Sequence, residues 1–172
     1  MGKHDFNIKG KAFTIYNSAD AWGDGEHETT AFMLEMIPKV SIKDKDILDI
    51  GTGSGILSVL CGKLGAKHIL ALDIKASSLE WARKNFKHNG IVAETEIGDC
   101  TVPIDETADI VLANLPPTEQ YENVKYVREY VNDDGYLIMT WLRVIPFIMN
   151  GFEVIEHIEG KEYDGYILKK IA

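Results

Sequence analysis

Apolar positions along the chain recur with two periods, and their alternation lays out a series of strands and helices. The spacing in TTAFMLEMIPKV predicts a helix that closes near Pro38. DILDI (46–50) is a short apolar run ending in glycines, the pattern of a buried strand. ILSVLCGKL (56–64) reads as a helix with Gly65 as its stop. KHILALDI (67–74) reads as the next strand and SSLEWARKNFKHNG (77–90) as a helix with serine caps and a terminal Asn-Gly. AETEIGD (93–99) and DIVLANL (109–115) follow as strands, and TEQYENVKYVREYV (118–131) as a helix after Pro-Pro. The turn NDDG leads into a strand, YLIMTWL (136–142), and a short helical piece is expected near 143–149. FEVIEHIE and GYILKKIA, flanking GKEYDG, predict a closing antiparallel hairpin. Strands alternating with helices in this way imply an α/β fold of right-handed βαβ units, with a parallel sheet covered on both faces. Ligands of such sheets sit beyond the carboxyl ends of the strands.

Composition narrows the picture without changing it. A chain of 172 residues, 45% of them hydrophobic, suits one domain with its own core, so residues 1–172 are read as a single domain with 1–28 as an N-terminal segment and lid loop. No apolar run reaches the roughly 20 residues of a membrane helix, and MGKHDFNIKG lacks the apolar stretch of a secretory signal. Cys61 and Cys100 lie far apart in unlike contexts and read as small core or near-site residues in a reducing cytoplasm. The net charge of −9 disfavours nucleic acid as a partner and suits a basic protein segment, such as a lysine-bearing tail.

Chemistry concentrates in ILDIGTGSGIL (47–57), where Gly51, Gly53 and Gly55 occupy a strand-to-helix turn. Glycines there let the backbone approach a ligand whose polar end meets the helix N–H groups. A dinucleotide fingerprint fails because its last glycine falls on Ile56, and no Gly-Lys-Ser/Thr completes a P-loop. The segment resembles the first motif of the class I S-adenosylmethionine (SAM) methyltransferases. Three later strand ends extend the resemblance: Asp73 in LALDI, Asp99 in IGDC and Asn114 in LANL. It implies a doubly wound, Rossmann-like, seven-stranded and mostly parallel sheet with a C-terminal antiparallel hairpin. It also implies SAM as cofactor and S-adenosylhomocysteine as product, with Asp73 on the ribose hydroxyls and Asp99 near the adenine amino group. The cofactor-binding residues it assigns are Thr29, Thr30, Asp49, Gly51, Thr52, Gly53, Gly55, Asp73, Ile74, Asp99, Cys100 and Asn114.

Within that superfamily WGDGEHETT (22–30) is similar to the F-G-x-G-x-H-x-T-T segment of the ribosomal protein L11 methyltransferases, with Trp22 in place of Phe. The resemblance implies a lid-like loop feeding a helix beside the cofactor, with Thr29 or Thr30 touching SAM or framing the transfer site. Alternatively the threonines only cap a helix starting at Ala31. His27 orients the loop, and Trp22 is either a core anchor or ligand-facing. A zinc protease helix is excluded, because the fifth position after His27-Glu28 is Ala31. Glu26 and Glu28 read either as attractors of a cationic substrate or as solvated loop charges.

For a protein amine, bound oxygens must accept the N–H groups so that the lone pair faces the methyl. Asn114 and the carbonyls of Leu115 and Pro116 are the candidate catalytic groups. ANLPP is similar to the N-P-P-Y motif of amide- and adenine-modifying methyltransferases, but Leu115 is inserted and Thr118 stands where the aromatic belongs. The L11 methyltransferases carry an additional N-terminal domain, whereas only about 20 residues precede the lid motif here. Either the acceptor differs or another chain supplies recognition. The reading is therefore a cytoplasmic methyltransferase acting on a protein amine, with lysine favoured. The alternatives are a small-molecule acceptor on the same fold, and a SAM-binding regulatory or partner protein without transferase activity.

Overall fold

The computed structural model describes residues 2–18, 23–101 and 106–171. It opens with a hairpin of β1 (Gly2–Ile8) and β2 (Lys11–Asn17), in the N-terminal segment to which the sequence reading assigns no element. Ile8 pairs with Lys11, so Lys9 and Gly10 alone make the turn, both at positive φ (47° and 75°). That is the primed geometry that suits the twist of a two-residue hairpin. The period-two alternation of FNIKGKAFTIY was its signal.

The main body follows the expected alternation. Its elements are α1 (Glu28–Met36), β3 (Asp46–Ile50), α2 (Ile56–Lys63), β4 (His68–Asp73), α3 (Ala76–Asn89), β5 (Glu94–Ile97), β6 (Ala108–Ala113), α4 (Pro117–Val127), β7 (Val131–Leu142), β8 (Phe152–Glu159) and β9 (Tyr163–Lys170). Seven strands form one sheet in the order β5-β4-β3-β6-β7-β9-β8. β3 pairs in parallel with β4 and β6, β6 with β7, and β4 with β5, while β9 runs antiparallel to both β7 and β8.

Alternate residues of the central strands feed two cores. Ile47, Ile69, Ile110 and Leu112 pack under α1, α2, α3 and the N-terminal hairpin. Leu48, Leu70, Val111 and Leu137 pack on the opposite face, with Val127 of α4 and Tyr130 beyond it. Strands buried on both faces read as continuous apolar runs, which is why DILDI and DIVLANL were legible.

Two expectations change. NDDG (132–135) is not a turn before a strand but an irregularity inside β7, where Ala108 pairs with Val131 and Ile110 with Tyr136. Asp134 there has φ 62°. No helix forms over 143–149. Pro146 cannot donate a helical hydrogen bond, and the segment alternates with period two. Ile145, Phe147 and Met149 pack inward while Val144 and Ile148 are exposed.

The hairpin is joined to the body through two asparagines one helical turn apart on α3. Asn85, fully buried, accepts the N–H of Tyr16 (2.9 Å) and donates to the carbonyls of Tyr16 (2.8 Å) and Ser54 (2.7 Å). Asn89 accepts from Thr14 N (3.0 Å) and donates to Thr14 O (2.7 Å), so the two side chains pair with β2 as a neighbouring strand would. Replacing Asn85→Ala leaves buried backbone groups of Tyr16 and Ser54 without partners. It should cost about 3 kcal/mol, read as a lower urea midpoint at unchanged m-value.

Candidate functional site

A cleft of about 270 Å³ opens where the carboxyl ends of β3, β4, β5 and β6 meet α1, α4 and the β8–β9 turn. The glycine turn forms its floor. Gly51 (φ 74°) and Gly53 (φ 55°) line it, with Thr52 between them. The N–H groups of Gly51 and Thr52 donate to Leu72 O (2.9 and 2.8 Å), tying the turn to β4. Gly55 faces elsewhere: it caps α2 at φ 81°, and a Cβ there would stand 2.7 Å from the Phe86 ring and 3.1 Å from Ala82. Gly55 therefore lets α2 approach α3 and is not part of the cleft wall.

Asp49 also lies beneath the cleft. Its Oδ2 accepts the hydroxyls of Thr52 (2.7 Å) and Ser58 (2.6 Å), while its Oδ1 is buried without a partner. Burial pushes its carboxyl above the ordinary range, the two hydroxyls oppose this, and the charge of Asp73 adds to the rise. Asp73 does face the cleft. Its Oδ2 accepts from Gly53 N and its Oδ1 from Lys75 N, each at 2.9 Å. Each carboxylate oxygen retains a further lone pair. Ile74, Asp99 and Cys100 continue the same wall, and Asp99 Oδ1 accepts the N–H of Thr101 (2.7 Å). Burial, then the neighbouring Asp99, pushes the Cys100 thiol up to about 11, so it stands as a neutral group. Cys61 is buried in the core on the other face.

Asn114 closes the wall at the end of β6. Its Oδ1 accepts the Thr140 hydroxyl of β7 (2.9 Å) and its Nδ2 reaches Thr30 Oγ1 of α1 (3.5 Å). The next two carbonyls are engaged. Leu115 O accepts from Gln120 Nε2 (2.7 Å), and Pro116 O accepts the first free N–H groups of α4, from Glu119 (3.0 Å) and Gln120 (2.9 Å). The expectation that the Pro116 carbonyl receives an acceptor amine is therefore corrected: both lone pairs serve helix capping. Leu115 keeps one lone pair, and both side chains still line the cleft.

The lid motif departs from its expected details. The helix starts at Glu28, not Ala31, and His27 is its cap, with Nδ1 accepting from Thr29 N (3.3 Å) and lying 2.9 Å from Thr29 Oγ1. Thr29 and Thr30 are thus inside the first turn, buried, and on the cleft wall. Ser54 Oγ donates to Gly23 O (2.7 Å), holding the lid loop over the glycine turn. Trp22 lies outside the described residues. Glu28 is a half-exposed charge engaged by backbone rather than a free attractor. Its carboxylate accepts the N–H groups of Lys161 (2.7 Å), Glu162 and Tyr163 (each 3.3 Å), which hold it below the usual carboxylate range.

Sequence reasoning missed Glu119, Ser78 and Tyr163 in the wall. Glu119 sits in the first turn of α4, and burial followed by the charges of Asp73 and Asp99 raises its carboxyl. Tyr163 arrives from the far end of the chain, and no local pattern marks it.

A Rossmann-like sheet with this strand order, and a glycine turn beside acidic strand ends, defines a member of the class I SAM-dependent methyltransferases. Residues 14–164 match the family described as Ribosomal protein L11 methyltransferase (PrmA), and the chain belongs to that family. A ribosomal protein L11 methyltransferase of Dictyoglomus thermophilum is 32% identical over 160 residues, 91% of this chain and 53% of the relative. One of Clostridium perfringens is 34% identical over 157 residues, covering 87% and 50%. The chain thus spans about half the length of these relatives. A crystal structure of a ribosomal protein L11 methylase from Lactobacillus delbrueckii subsp. bulgaricus superposes with a TM-score of 0.80 at 22% identity, covering 98% of this chain and 100% of that one. The T. thermophilus 16S rRNA N2 G1207 methyltransferase, in complex with AdoMet and guanosine, gives 0.77 at 15% identity, covering 99% and 50%; at such identities the likeness is one of fold.

The buried Asp49 carries a pH signature. A carboxyl raised in the native state favours folding when protonated, so its contribution is lost as pH rises through and beyond the ordinary carboxylate range. Asp49→Asn should abolish that part of the slope. The stability difference between variant and wild type, from urea unfolding at several pH values, should move in the variant's favour as pH rises from acid to neutral.

Proposed function

We propose that this chain is a SAM-dependent methyltransferase whose acceptor is a protein amine, with a lysine side chain as the favoured target. The observation that carries the reading is the meeting, in one cleft, of the Gly51–Gly53 turn, Asp73 and Asn114. The residues present suit the cofactor. Asp73 keeps lone pairs for a ribose diol, the glycine turn offers close backbone approach, and Asp99 with neutral Cys100 lines the purine end. Bound SAM supplies a methyl group already activated by a sulfonium.

The chain's own task is then alignment. Asn114 Oδ1, fixed by Thr140, keeps a second lone pair that accepts one N–H of a neutral amine and turns its electron pair toward the methyl. Thr30 sets the plane of that amide from the other side. The amine loses its proton to solvent or to a carboxylate before transfer. The net charge of −9 favours a cationic partner over a polyanion. Relatives that carry the name ribosomal protein L11 methyltransferase make that protein the first acceptor to test. A cytoplasmic setting belongs to the same reading.

Incubation with radiolabelled SAM and a cell lysate should place label in protein. Label confined to small molecules or RNA would overturn the acceptor assignment, and none at all would overturn the transferase. Asp73→Ala should raise the SAM Kd by at least about tenfold, the loss of hydrogen bonds to a charged group. Asn114→Ala should lower kcat by about a hundredfold with SAM affinity nearly intact. Thr30→Val should lower kcat more modestly, and wild-type turnover would remove Thr30 from the alignment.

A further inference from the structure

We propose that Tyr163 forms the wall of the cleft past which the acceptor amine enters, and that Glu28 is the positioning residue that holds it there by clamping the β8–β9 turn to α1. The proposal rests on the transferase reading and specifies its acceptor side.

Strand order separates the two ends of the cleft. Asp73 ends β4 and Asp99 lies just past β5 on one side of β3, whereas Asn114 follows β6 on the other. Tyr163 begins β9 and pairs with Leu142 at the end of β7, so it lies beyond Asn114, away from the acidic strand ends. A cofactor whose nucleoside occupies the β4–β5 side leaves the Tyr163 side for the acceptor. The Tyr163 ring meets His27 of the lid edge-on, with centroids 5.7 Å apart at 66°, and both rings line the cleft. The face of a tyrosine attracts the ammonium of an unbranched alkylamine and packs its methylene stem.

Pairing with Leu142 fixes the start of β9, and a second constraint acts on the turn before it. The constraint comes from one ridge of α1, residues four apart. Glu28 takes three successive N–H groups of the turn, an arrangement that favours an anion. Phe32 packs so closely on Gly160 that a Cβ there would stand 2.6 Å from the ring, and Met36 packs likewise on Gly165 (2.9 Å). From the far side Arg143 pairs with Glu159 and Asp164 and donates its backbone N–H to Glu162 O (3.0 Å). The first turn of α1 thus sets the turn through Glu28 and, two residues on, meets Asn114 through Thr30.

The test uses Tyr163→Ala, Tyr163→Phe, Glu28→Ala, Glu28→Gln and the double alanine variant, with SAM and ribosomal protein L11. All should bind SAM within about twofold of wild type. Tyr163→Ala should raise the acceptor KM by about tenfold and Tyr163→Phe should not, because the ring remains. Glu28→Ala should match Tyr163→Ala, Glu28→Gln should recover part of the loss, and the double variant should be no worse than either single. Amide hydrogen exchange at 161–163 should quicken in Glu28→Ala but not in Tyr163→Phe. An unchanged KM in Tyr163→Ala, or additive losses in the double variant, would overturn the proposal. Absence of L11 methylation by the wild type bears on the acceptor named above, and a separate arm decides the present point. Butylamine titrated into the protein with S-adenosylhomocysteine should shift the Tyr163 ring signals in the wild type and not in Glu28→Ala. No shift in the wild type overturns the proposal.

Discussion

Parallel pairing of β3 with both β4 and β6 is the constraint on which the site depends. Parallel neighbours must point the same way, so the chain returns through α2 and α3 and the carboxyl ends of β3, β4, β5 and β6 open on one edge. Gly51, Asp73 and Asn114 are far apart in sequence and meet because Asp73 ends its strand and the other two each follow theirs directly. The turn after β3 can then be tight because its N–H groups find Leu72 O on β4, and a glycine at position 55 lets α2 seat against α3.

Polar side chains tie the remaining segments to that edge. Asn85 joins β2 to Ser54, and the Ser54 hydroxyl holds Gly23, so the N-terminal hairpin, the glycine turn and the lid form one connected set. On the other face Gln120 bridges Leu115 O and Leu142 N, fixing the end of β6 to the end of β7. Each of these amides is buried and uses both its donor and its acceptor, which is how an interior tolerates them. Their directionality gives the loops around the cleft a single arrangement, where apolar contacts alone would permit several.

How much of this was legible follows the range of each interaction. The glycine turn, Asp73 and Asn114 stood out because each closes or follows an apolar run, whereas Asp99 follows the polar strand Glu94–Ile97 and was marked only by the family resemblance. The Pro116 carbonyl was misassigned because α4 begins one residue earlier than expected, at Pro117, and claims it for capping. Thr29 and Thr30 suited a cap by residue type, but His27 took that place and left both inside the first turn. The first hairpin escaped because its strands flank a Lys-Gly turn without the usual asparagine. The pairing of Glu28 with the turn before Tyr163 had no local signal, since more than a hundred residues separate groups that meet only after β9 joins the sheet beside β7.

The distribution of charge around the cleft sharpens what kind of chemistry its residues suit. Asp49 beneath the floor, and Glu119 on the wall beside Asp73 and Asp99, are both raised chiefly by burial and then by like charges. Crowded carboxylates disfavour further negative charge, so a phosphate-bearing ligand would meet repulsion where a sulfonium and an ammonium would not. On the Tyr163 side the Glu28 carboxylate stays anionic and is engaged by the N–H groups of Lys161, Glu162 and Tyr163. On that side the cleft presents the rings of His27 and Tyr163 and the side-chain carbonyl of Asn114.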